Sequence, residues 1–171
     1  MRFPFQALLI CLLATAASGF AQTPNPLDVV PENMPFNVPY GAPISLDMAD
    51  AAIAAALNEA KQHNWAMNIA VVDSGGNLVA FKRMDGAQLA SITISEHKAR
   101  TAVKFRRETK AFENAMQVNN NLYVETLDDV IASRGGIPLI VAGKMIGAIG
   151  CSGGSGSQDE VACKAGAALF K

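Results

Sequence analysis

The stretch that decides the fold is residues 134–160, RGGIPLIVAGKMIGAIGCSGGSGSQDE. It reads as two apolar strands folded about Gly143-Lys144, then a glycine-rich loop and a helix start. Strands joined by so short a turn pair antiparallel, because parallel neighbours need a long crossover. Ser157, with Glu160 three residues on, gives the helix start a capping box. Ala162, Ala165, Ala168 and Leu169 can bury the helix that follows.

Working back toward the N-terminus, the same grammar repeats. Residues 67–72 (MNIAVV) and 78–84 (LVAFKRM) are a second strand pair about the turn DSGGN. Residues 46–63 form an amphipathic helix capped by Ser45, with Leu46, Ala49, Ile53, Leu57 and Ala60 at helical spacing. Residues 91–105 form another, with Ile92, Ala99 and Val103 on its core side. Residues 109–117 form a short helix with Thr109 as cap, and 122–133 is ambiguous, with a partly helical piece around 127–131. The order helix, hairpin, helices, hairpin, helix predicts an α/β (α+β) domain with a mainly antiparallel sheet flanked by helices.

The chain has 171 residues and half are of hydrophobic type, enough for one domain with a substantial core. Net charge is −1, and no Lys/Arg run appears, so nucleic acid is not an expected partner. Residues 1–21 have the form of a secretory signal. Arg2 precedes the apolar run ALLICLLATAA (7–17), and Gly19-Phe20-Ala21 supplies small residues for cleavage after Ala21. That run is short for an uncleaved membrane anchor, so the expected location is periplasmic or secreted. Residues 22–44 are a proline-rich arm, and 45–171 form the single domain. Cys11 leaves with the signal. Cys151 and Cys163 are taken as two small buried thiols, with a disulfide as the alternative, because spacing alone gives no distance.

Three blocks, AVVDSGGNLVAFKRMDGA, ISEHKARTAVKFRRETKAFE and GGIPLIVAGKMIGAIGCSGGSGSQDE, together resemble the GlcG/HbpS-like family, related to the C-terminal domain of PduO-type corrinoid adenosyltransferases. The resemblance runs from Leu46 to the C-terminus. It implies a profilin-like fold, homo-oligomers, and a haem-type ligand in secreted members that work with membrane sensor or transport systems.

His97 is the leading ligand candidate, since imidazole suits haem iron. Arg100 and Lys104 share its stripe at i+3 and i+7, and Lys98 is adjacent. These cations can meet propionates or another carboxylate. Ile94, Thr101 and Phe105 form the next stripe, against which a flat ring can pack. The plainer reading of His97 is a solvated basic face. His63 is the minor alternative metal ligand, and its plainer role is at a helix C-terminus. Asp85 can meet a ligand or cap a turn. Arg134, Gly135 and Gly136 are candidates to line the pocket. The glycines of 153–157 lack a P-loop lysine and are read as architecture.

The leading expectation is thus an exported small-molecule-binding protein that takes haem for capture or sensing. One alternative is an enzyme or binding module for a small 2-hydroxy acid. Another is a structural protein acting through homo-oligomer assembly.

Overall fold

In the computed structural model of the chain, Ser45 opens the first helix, accepting a hydrogen bond from Met48 N at 3.3 Å. The structure describes residue 25, residues 28–34 and residues 36–170. The proposed signal segment lies outside them. Described residues 25 and 28–34 belong to a unit separate from the rest, in which Asp28 N donates to Asn25 O at 2.9 Å. The remainder is the folded body.

That body runs α1 (Leu46–Gln62), β1 (Asn68–Asp73), β2 (Leu78–Arg83), α2 (Ser91–Lys104), α3 (Lys110–Gln117), β3 (Gly136–Val141), β4 (Lys144–Ser152) and α4 (Gly156–Ala167), with a 3₁₀ turn at Leu122–Thr126. The four strands make one antiparallel sheet in the order β2-β1-β4-β3. The antiparallel reading from the two hairpins therefore holds. In the ambiguous segment 122–133 the helical part is the 3₁₀ turn at Leu122–Thr126, and 127–131 carries no helix.

Each face of the sheet has its own core. Ile69, Val71, Leu139, Ile149 and Cys151 pack with the apolar faces of α1 and α4. Val72, Met145 and Ala148 pack with Ala99, Ala102 and Val103 of α2. In α1 the buried stripe is Ala49, Ala52, Ile53, Ala56 and Ala60, whereas Leu46 at the helix start is 56% exposed. Small side chains let α4 come close. On the opposite face two glycines set the spacing. A Cβ on Gly150 would meet Ser95 O at 2.0 Å, and one on Gly136 would meet Lys98 O at 2.3 Å. The backbone of α2 thus rests directly on the sheet.

Several local expectations are corrected. The β3–β4 turn is Ala142-Gly143, with φ of +49° and +72°, not Gly143-Lys144. Two left-handed residues match the right-handed twist of the strands. Thr109 does not cap α3 with its side chain. Instead its hydroxyl accepts from Gly136 N (2.9 Å), and its own N–H donates to Gly136 O (3.0 Å). The capping box of α4 is Ser155 with Gln158, not Ser157 with Glu160. Starting the helix two residues earlier turns Asp159 and Glu160 inward.

The two cysteines are joined. Cys151 at the end of β4 and Cys163 in α4 form a disulfide with Cα atoms 5.6 Å apart, so the reading as free thiols is overturned. α4 folds back along the strand it follows, which sequence spacing alone could not show. The end of the arm also belongs to the body. Beyond the reach of β1, β4 is open at Met145, and the arm takes that place. Met145 N donates to Pro39 O (2.8 Å), and Gly41 N donates to Met145 O (2.7 Å). Tyr40 donates to Val103 O at the end of α2, and the Arg107 guanidinium lies 3.3 Å from the Phe36 ring centroid.

Candidate functional site

α2 carries five of the residues nominated from sequence, His97, Lys98, Arg100, Thr101 and Lys104, and helical geometry sorts them onto different faces. Lys98 points into the protein. It is 1% exposed, and its Nζ donates to Asp159 Oδ2 at 2.7 Å. Burial pushes the Asp159 carboxyl up from its ordinary value, while the Lys98 charge and hydrogen bond pull the other way. Asp159 Oδ1 also accepts from Gly154 N at 3.0 Å. Lys98 is therefore engaged inside the fold and does not present its ammonium to a ligand.

His97, Arg100 and Lys104 lie on the outer stripe as their spacing requires. Arg100 pairs loosely with Glu96 at 3.6 Å, and Lys104 pairs with Asp129. The hydrogen bond and charge of Lys104 hold the Asp129 carboxyl below its ordinary value, with smaller contributions from Arg100 and His97. Asp129 is held in the left-handed region, at φ +62°. Thr101 staples that segment to α2: its hydroxyl donates to Asp129 O (2.8 Å) and accepts from Ile131 N (3.1 Å). So Thr101 is buried beneath a neighbouring segment and is not an open stacking surface.

His97 itself is half-buried. Its Nε2 is shielded from solvent and, among the described residues, has no hydrogen-bond partner. Most buried polar atoms are satisfied, so this one calls for a reason.

The other nominees fall elsewhere. Phe105 packs edge-on against Phe112, with centroids 5.1 Å apart. Arg134 is clamped: Nε donates to Glu113 Oε1 at 2.6 Å, and Nη1 reaches Glu160 Oε2 at 3.5 Å. Gly135 and Gly136 lie under Asp159 and α2 and are buried. These three residues fasten α3 and α4 to the sheet. His63 ends α1, stacked on Trp65 (4.3 Å) with Nε2 3.2 Å from Glu59. The helix-end position read from sequence is the one it occupies. Asp85 is exposed and lines a groove of about 350 Å³ together with Leu57, Lys61, Lys82, Arg83 and Met84. That groove was not foreseen, because it forms only where the end of α1 meets the end of β2. Among the described residues no group of three His, Cys, Asp or Glu side chains is placed to hold a metal ion.

A small α+β domain, with helices on both faces of a four-stranded antiparallel sheet and a disulfide tying its last helix to the central strand, is the class these observations define. Within it, the chain belongs to the HbpS-like family: the family model described as "Haem degrading protein HbpS-like" matches residues 44–168. Among curated relatives, Protein GlcG of Escherichia coli (strain K12) is 44% identical over 109 residues, which are 64% of this chain and 81% of that protein. The fold matches a double mutant of Streptomyces reticuli HbpS with a TM-score of 0.70 at 27% identity, covering 84% of this chain and 98% of that one. It also matches PduOC, solved as a haem complex, with a TM-score of 0.68 at 27% identity, covering 76% of this chain and 96% of that one.

Proposed function

We propose that this protein binds haem or a related tetrapyrrole for capture or sensing, and that His97 supplies the imidazole that meets the iron. The observation that carries the reading is the shielded, unpartnered Nε2 of His97. Leaving such a nitrogen without a partner costs free energy, and in neutral imidazole it offers a lone pair suited to iron. The haem complex of a relative of the same fold supports the ligand class.

Arg100 and Lys104 share the His97 stripe and are the cations assigned to propionates. Their present partners, Glu96 and Asp129, form partly exposed pairs, and such pairs contribute little, so exchange for a ligand carboxylate is cheap. Because Nε2 is shielded, ligation requires a local shift around His97. We assign that shift to the segment held by Thr101 and Asp129. Bound haem would bring a redox-active iron; the residues named here bind and orient it.

Export belongs to the same proposal, with cleavage after Ala21 and a periplasmic or secreted destination. The Cys151–Cys163 disulfide supports an oxidising compartment. Homo-oligomer assembly and communication with a membrane sensor or transport system complete the reading.

Ligand-induced stabilisation separates the classes. Haemin is expected to raise the melting temperature of the mature protein, whereas glycolate and lactate leave it unchanged. Stabilisation by the 2-hydroxy acids without any by haemin would replace this reading with that of a small-acid module.

A further inference from the structure

The groove between the end of α1 and the end of β2 has a chemistry unlike the rest of the body. Its apolar part is Leu57 and Met84, both half-buried and packed against the larger core. Met84 is held in place, since its sulfur accepts a hydrogen bond from Met67 N at 3.4 Å. Its polar part is Lys61, Lys82 and Arg83, all exposed, against the single carboxylate of Asp85.

These three cations make no ion pair among the described residues, in contrast to Lys98, Arg100, Lys104, Lys110, Arg134 and Lys164, each of which meets a carboxylate. Positive charge along α2, α3 and α4 thus meets carboxylates; of the other described cations of the body, Arg106 and Arg107 lie over the Tyr40 and Phe36 rings and Lys144 stands by itself at the start of β4, so this groove is where cations without a carboxylate partner gather. A concave surface with an apolar floor and converging polar groups is the usual form of a small-molecule site, and about 350 Å³ lies in the common size range.

We propose that this groove binds an amphipathic organic anion: an apolar body seated on Leu57 and Met84, with one or two carboxylates turned toward Lys61, Lys82 and Arg83. Exposed ion pairs alone contribute little, so a bare small carboxylate binds weakly. The apolar floor alone is too small to hold a neutral chain, so both halves are needed. The site is separate from the His97 stripe and does not depend on the haem reading.

The test uses the mature protein with its disulfide intact and the fluorescent probe 8-anilinonaphthalene-1-sulfonate. Saturable binding is expected, with displacement by dodecanoate and none by acetate or dodecanol at equal concentration. The double variant Lys82→Glu/Arg83→Glu should bind the probe at least tenfold more weakly while its melting temperature is unchanged. The variant His97→Ala should bind it as the wild type does. Equal displacement by dodecanol, or an affinity indifferent to the double charge reversal, would overturn the proposal. If the charge reversal disturbs the fold, Lys61→Gln replaces it: a weaker affinity for the probe supports the site, and an unchanged one removes it.

Discussion

Lys98 Nζ and Asp159 Oδ2 lie 2.7 Å apart with both side chains almost wholly buried, at 1% and 3% exposure, and so tie α2 to the first turn of α4. Removing one partner strands the other charge in the interior. Asp159→Ala is expected to cost about 3–5 kcal/mol, while the double change Lys98→Met/Asp159→Leu should recover most of that loss. Chemical denaturation of the wild type and the two variants checks it. Equal losses in the single and double variants would show that the pair is not coupled.

The disulfide between Cys151 and Cys163 closes a loop of sequence separation 12. A bridge of that span stabilises by about 3 kcal/mol in the chain-entropy account. Cys151→Ser/Cys163→Ser should therefore lower the unfolding free energy by that order, and reductant should have no effect on the double serine variant. A wild type whose melting temperature ignores reductant under unfolding conditions would contradict the bond's role.

Glycines in this chain differ sharply in consequence. A Cβ on Gly150 would stand 2.0 Å from Ser95 O and 2.6 Å from Ala99 N, so Gly150→Ala must push α2 off the sheet. The expected loss is about 3 kcal/mol or more. Gly143 has open space around it and only its φ of +72° to satisfy, so Gly143→Ala should cost about 1 kcal/mol. Thermal melts of the two variants decide the order.

That contrast shows what was legible in sequence. The two hairpins, Ser45 as a cap and the family blocks could be read directly, because each rests on local pattern. The roles of Gly136 and Gly150 could not be, because they depend on what crosses the sheet above them. Lys98 reads in sequence as a cation beside the basic stripe, available to a ligand. One step around a helix turns a side chain by about 100°, and here that step carried it into the interior. Ser155 and Ser157 both fit a capping rule, and only the packed position of Asp159 distinguishes them. The α1–β2 groove joins residues about twenty positions apart, so no local pattern announced it.

Stability in acid should follow Glu160. Burial works to raise its pKa, but hydrogen bonds from Lys164 (2.6 Å) and Lys110 (3.1 Å) outweigh it and leave the carboxyl below its ordinary value. The folded state then binds fewer protons there than the unfolded chain. Its contribution is complete above the ordinary glutamate range and is lost as pH falls through the lowered folded value. Glu160→Gln should lower stability by about 1 kcal/mol at neutral pH and flatten the profile below about pH 4.3. Asp73, also lowered because hydrogen bonds from Asn77, Gly75 and Gly76 outweigh its slight burial, retains some slope. Asp159 acts with opposite sign: raised by burial, it favours the fold below the ordinary aspartate range, and that contribution is lost as pH rises through its folded value. Unfolding free energies across this range, in wild type and Glu160→Gln, measure the effect; parallel profiles would exclude it.

The central claim concerns the unpartnered nitrogen of His97. Its most direct test is a haemin titration of the mature protein followed by the Soret band, in wild type, His97→Ala and His63→Ala. The account predicts a saturable Soret shift in wild type and in His63→Ala, and loss of the histidine-ligated spectrum, with at least tenfold weaker binding, in His97→Ala. A Soret shift and affinity unchanged by His97→Ala, or no shift in any of the three proteins, would contradict it.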